Sequence, residues 1–96
     1  MQIEITLTKF YAKGDERRLF QGLSEIAAVS NVHGRGRGLI FELNLRLLGK
    51  ESLWELLALL YRYGISLAPF KVLASSKKFS WLDDKKSYWY KNMFSA

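Results

Sequence analysis

Cysteine is absent from this chain, and proline and histidine occur once each. Without cysteine there is no disulfide, zinc–thiolate site, iron–sulfur cluster or thiol nucleophile. One histidine, His33, is too few for a histidine-rich metal site or a two-histidine relay. No apolar run reaches the ~18 residues of a membrane-spanning helix. The first residues, Met1-Gln2-Ile3-Glu4-Ile5, alternate and carry an acid, unlike a secretory leader. The expected setting is therefore the cytoplasm, with no membrane partner. Acids are also scarce, nine against fifteen lysines and arginines.

What is present supports a packed core. Of 96 residues, 49% are hydrophobic and 15% aromatic, too many for a disordered chain. The length predicts one domain over 1–96, with a core over 2–74 and a basic, aromatic extension over 75–96. The net charge of +6 is uneven. Residues 1–34 hold four basic and four acidic side chains, residues 35–70 five and three, and residues 71–96 six and two. A basic surplus favours anionic partners, although it also serves solubility alone.

Residues 2–10 alternate, with Ile3, Ile5 and Leu7 on one face, which predicts a strand with one buried side. Gly14 breaks it, and Asp15 is placed to cap a helix carrying Leu19, Phe20, Leu23 and Ile26. A second strand is expected over 27–33, then a turn at Gly34-Arg35-Gly36-Arg37-Gly38, then a third strand over 39–47. Ser52 and Glu55 match a capping box before a helix with Leu53, Leu56, Leu57, Leu60 and Tyr63 on one stripe. Trp54, Leu59 and Tyr61 widen that stripe, and Gly64 stands where a left-handed cap belongs. Alternation resumes over 65–74 and changes phase at Pro69, which predicts a fourth strand at a sheet edge or with a bulge. The tail predicts a loose hairpin or an added strand near 86–91, with Asp83-Asp84 as a turn.

The order β-α-β-β-α-β is that of the α+β ferredoxin-like split β-α-β arrangement. It implies an antiparallel sheet with both helices on one face, here followed by an aromatic C-terminal strand or hairpin. The arrangement hosts unrelated functions, so function has to come from side chains.

Catalytic sets are missing by spacing. The glycine–arginine turn precedes a strand, whereas nucleotide fingerprints need a helix there, and no G-K-[ST] follows. The ferredoxin-like nucleases of CRISPR adaptation keep an aspartate where this chain reads Lys9-Phe10-Tyr11. A metal-free ribonuclease has its residue types in His33, Arg35, Arg37, Lys85, Lys86, Tyr88 and Tyr90, but no acid–base pair emerges. No enzyme, cofactor or metal is expected. The candidate partner-binding residues are Arg35, Arg37, Trp81, Lys85, Lys86, Tyr88, Trp89 and Tyr90. Tryptophan, tyrosine and arginine are the usual anchors of protein interfaces. The expected function is non-enzymatic protein binding, most concretely by a small inhibitor or immunity protein that neutralises a bacterial toxin. One alternative is an RNA- or DNA-binding module in which lysines meet phosphates and rings meet bases. RNA-recognition sheets of this architecture carry aromatics where this chain has Glu4, Thr6, Glu42 and Asn44. The other alternative is a homo-oligomeric assembly subunit, a homodimer for example, built on the edge near Pro69. The bland reading of the aromatic tail is that it folds back and completes the core.

Overall fold

A computed structural model describes residues 1–8 and 10–95. Lys9, at the end of the expected first strand, lies outside the described residues. The chain is a small α+β domain with a three-stranded antiparallel sheet and several helices. Strands β1 (Gln2–Thr6), β2 (Val29–Arg35) and β3 (Gly38–Leu43) lie in the order β1-β3-β2. Both outer strands run antiparallel to β3, so they run parallel to each other. Helix α1 (Gly14–Ser24) connects β1 to β2, and helix α2 (Lys50–Arg62) follows β3.

Alternation in β1 sorts its side chains. Ile3 and Ile5 are buried opposite Phe41 and Leu39, while Gln2, Glu4 and Thr6 face solvent. The buried face packs with Leu19 and Leu23 of α1 and Leu53, Leu56, Leu57 and Leu60 of α2 in one cluster. The opposite face bears Glu4, Ile40 and His33 in one cross-strand row.

Two glycines are explained by close approach. A Cβ at Gly38 would lie 2.1 Å from the Ile5 carbonyl oxygen, so only glycine lets β1 seat on β3 there. A Cβ at Gly22 would lie 2.9 Å from the Leu59 methyls, which is where α1 leans on α2. The hairpin turns through Gly36 and Arg37, with φ of +59° at Gly36. Glycine first in a two-residue turn matches the strand twist.

Several boundaries differ from the sequence expectation, each for a local reason. Asp15 does not cap the helix amides. Its Oδ2 accepts from the backbone N–H groups of Tyr11 and Ala12, and its Oδ1 accepts from Arg18, so it ties down the loop before α1. β2 starts two residues late and carries a bulge between Ser30 and His33, with Asn31 at φ +53°. His33 Nδ1–H donates to the Asn31 carbonyl and closes this bulge. β3 stops at Leu43 because Asn44 turns the chain. Its Oδ1 accepts from Arg46 N–H, and its carbonyl accepts from Leu47 and Leu48. The capping box is displaced by three residues. Gly49 is the cap, its N–H donates to Ser52 Oγ, and Glu55 takes no part. Gly64 behaves as expected: at φ +68° it lets its own N–H reach Tyr61 and that of Ile65 reach Leu60, a Schellman closure.

The fourth strand does not form among the described residues. Ala68–Ser75 is a 3-10 helix with Pro69 at its start, packed beside β1. The reason lies in spacing. Ile65 and Leu67 are buried at a step of two, but Phe70 and Leu73 follow at steps of three. A 3-10 helix eclipses residues three apart, so Phe70 and Leu73 share its buried face. The tail forms no hairpin or strand either. Lys77–Leu82 is a second 3-10 helix, Asp84 turns the chain, and Tyr90–Phe94 forms the short helix α3. Phe79, Leu82, Trp89 and Met93 join the main core cluster. No helix of the described residues is long and apolar enough to cross a membrane.

These assignments make two stability predictions. Gly38→Ala is expected to cost more than about 2 kcal/mol, because backbone must move, while Gly34→Ala, which meets nothing within 4 Å, changes stability by less than about 0.5 kcal/mol. Equal midpoints in urea would show that β1 is not paired in this register. Phe70→Ala should cost about 3–5 kcal/mol and Val72→Thr almost nothing. A strand would put both side chains on one face, so comparable losses would restore the strand assignment.

Candidate functional site

The tail packs along one flank of α2, through Trp54 and Tyr61. Trp54 and Tyr61 are seven residues apart, two helical turns, and so share a face along one flank of the leucine stripe. Three indoles meet at Trp54. Its ring stacks on Trp81 at 5.9 Å between centroids and meets Trp89 edge to face at 5.1 Å. Trp89 continues to Tyr88 at 5.1 Å, and Tyr88 to Tyr61 at 4.8 Å, both edge to face. The result is an unbroken aromatic ridge from Trp81 to Tyr61, with the Lys50 ammonium 5.6 Å from the Trp81 ring. Edge-to-face pairs add about 0.5–1.5 kcal/mol each beyond burial, so the ridge is held rigid.

Within the ridge the rings divide into anchors and contacts. Trp89 is 3% exposed, and its indole N–H donates to the Leu82 carbonyl at 2.8 Å. Trp81 is half-buried, and its indole N–H has no hydrogen-bond partner. An unpaired buried donor costs about 1–3 kcal/mol, so ring packing is what keeps Trp81 in place. Trp54, Tyr61 and Tyr88 remain 42–44% exposed. The ridge thus has a buried base and an open crest.

At its Tyr61 end the ridge opens into a cleft of about 930 Å³. One wall is the loop after β1, with Thr8, Phe10 and Tyr11. The floor is the end of α2, with Tyr61, Arg62 and Tyr63, and the other wall is the tail, with Lys85, Tyr88 and Lys91. Phe10 meets Tyr63 edge to face at 6.0 Å. Thr8 Oγ–H donates to the Tyr63 carbonyl at 2.5 Å and pins the loop to the helix end. Burial pushes the Tyr88 phenol above its ordinary pKa. Arg62 opposes this and Tyr61 adds to it, and Tyr88 stays protonated at neutral pH.

The expected site residues divide accordingly. Lys85 and Tyr88 line the cleft. Arg35 and Arg37 stand exposed at the hairpin tip, where Leu7 N–H donates to the Arg37 carbonyl, one residue from Thr8. The tip and the cleft therefore share one end of the molecule. Trp81 and Trp89 belong to the base of the ridge. Tyr90 is turned onto Phe94 at 4.9 Å, and Lys86 is exposed on the Asp84 turn. Neither Tyr90 nor Lys86 joins the ridge or the cleft. Sequence reasoning missed Trp54, Tyr61, Arg62 and Lys91 as site residues. The available signal was the i, i+7 pair of large rings at the edge of the leucine stripe. Among the described residues no cluster of His, Asp or Glu is arranged to hold a metal ion.

The division of the indoles is testable by urea unfolding. Trp89→Phe should cost about 2–3 kcal/mol, losing the bond to Leu82, and Trp81→Phe less than half as much. Equal costs would show that the Leu82 bond is not what anchors the tail. Comparison with known protein families, curated proteins and solved structures returned no match for this chain.

Proposed function

We propose that this chain is a non-catalytic protein-binding domain whose contact surface is the crest of the aromatic ridge. The observation that carries the reading is the exposure of Trp54, Tyr61 and Tyr88 on a rigid, buried base. Large rings held in place before binding lose little conformational freedom on association, which is what interface anchors require. The concrete form is a stoichiometric inhibitor, such as an immunity protein, that covers a working surface of a bacterial toxin. Its partner is one specific protein, and its setting is the cytoplasm.

Nucleic-acid binding is the second reading, favoured by the cations at the cleft and the hairpin tip. It predicts affinity that falls steeply with salt and disappears with nuclease. The two readings separate in one capture experiment. Immobilised protein is incubated with extract of its native host, with and without nuclease, at low and high salt. A single protein at one-to-one stoichiometry should survive both treatments and fall at least ~10-fold with Trp54→Gln/Tyr61→Ser, checked for folding by circular dichroism. Nucleic acid that elutes with salt, and no stoichiometric protein, would overturn the proposal.

A further inference from the structure

The cleft at the end of the ridge has an unusual hydrogen-bond balance. The one carboxylate in its lining, Asp15, is already engaged by the fold. Both oxygens of Asp15 are taken by Tyr11, Ala12 and Arg18. The Thr8 hydroxyl donates its proton to the Tyr63 carbonyl, and the Ser87 hydroxyl donates its own to the Asp84 carbonyl at 2.7 Å. The Asn92 amide spans Leu67 N–H and the Ile65 carbonyl. The side-chain donors left for a ligand are cationic or phenolic: Arg62, Lys85 and Lys91, with the hydroxyls of Tyr61 and Tyr88. Among the described residues none of these three cations is in an ion pair. Arg62 sits in the last turn of α2, where the helix C-terminus favours positive charge by about 0.3–1 kcal/mol. Lys91 lies in the last turn of the short helix α3, and Lys85 lies in no helix.

Building on the protein-binding reading above, we propose that this cleft receives an acidic, extended segment of the partner protein, its carboxylates seated among Arg62, Lys85 and Lys91. An acceptor-rich anion is what a lining of spare donors fits. Phe10 and Tyr63 supply an apolar wall for side chains between the acids. A carboxylate-bearing peptide fits better than a nucleic-acid strand for two reasons. The cations converge on one cleft, whereas non-specific strand binding uses a charged groove that follows the backbone. Tyr61 and Tyr88 meet edge to face at 70°, so they present no parallel pair of faces to successive bases. The assignment also explains how a chain of net charge +6 serves as a specific protein binder. It selects a partner with a local acidic segment, and electrostatic steering speeds the encounter.

The test needs no knowledge of the partner. Backbone amide resonances of the full chain are followed during titration with four probes. They are an N-acetylated peptide alternating glutamate and leucine, its lysine counterpart, an oligothymidylate of about ten nucleotides, and inorganic phosphate. The acidic peptide alone should shift Tyr63, Gly64, Tyr88 and Lys91, and Lys85→Gln/Lys91→Gln should weaken it at least ~10-fold. Arg35→Gln/Arg37→Gln should leave it within about 2-fold. No shift with the acidic peptide, or a shift that ignores the lysine variant, overturns the proposal. Tighter binding of the oligothymidylate overturns it in favour of nucleic acid, and phosphate binding as tightly as the peptide marks an adventitious ion only. A ridge variant that loses the captured partner, beside a lysine variant that keeps it, leaves the protein-binding reading standing and removes the acidic segment.

Discussion

One side-chain amide determines how the second half of this molecule is organised. Asn92 Oδ1 accepts from Leu67 N–H at 2.7 Å, and its Nδ2 donates to the Ile65 carbonyl at 3.2 Å. That is the hydrogen-bonding role a neighbouring strand would play toward an extended segment. Residues 65 and 67 are buried and apolar, so their backbone groups require partners. With Asn92 supplying them, the segment is satisfied without joining the sheet. Pro69 then begins a 3-10 helix, which its missing N–H and fixed φ suit. The sheet stays at three strands, and a 3-10 helix lies beside β1 where a fourth would stand.

The same contact explains why a tail of many aromatics is not a loose appendage. Asn92 belongs to α3, so its two bonds draw the tail back onto the end of α2. Trp89 precedes it by one helical turn and fills the space over Trp54, while its N–H closes on Leu82. Burial of Trp89 and Met93 favours the return, and the two polar contacts set its register. Tyr88 and Lys91, neighbours of those anchors in sequence, are thereby carried to the cleft. Site and core are thus built from one short segment, alternating between residues that hold and residues that face outward.

Electrostatics adds the asymmetry that makes one end of the molecule distinctive. Asp15 is spent on its own loop and Arg18, and Glu42 lies 3.8 Å from the terminal ammonium of Met1. These two acids therefore neutralise local structure, and the surplus of lysine and arginine in residues 71–96 is left to the surface that the tail builds. The hairpin tip with Arg35 and Arg37 is tied through Leu7 to the same end. Two features that look unrelated along the chain, a glycine–arginine turn and a lysine–aromatic tail, become neighbours through β1.

By itself the sequence determined the elements whose period is long and unambiguous. β1 is legible from Ile3 and Ile5, α2 from its leucines, and the end of α2 from Gly64, because burial on one face imposes a period that side chains must follow. The hairpin is legible because glycine alone takes the turn at Gly36 without strain. Only the tertiary structure decided where β3 stops, that residues 68–75 coil instead of pairing, and that the tail is helical. Each depends on a partner distant in sequence or on a polar side chain competing for the backbone: Asn44 for β3, Asn92 for residues 65–67, and Leu82 for Trp89. Likewise, residue types named Lys85 and Tyr88 as candidates, whereas Arg62, Tyr61 and Lys91 became a site only when the tail closed over α2. Periodicity is a local property and can be read in a line of residues. A cleft is a meeting of segments, and it exists only once the chain has folded.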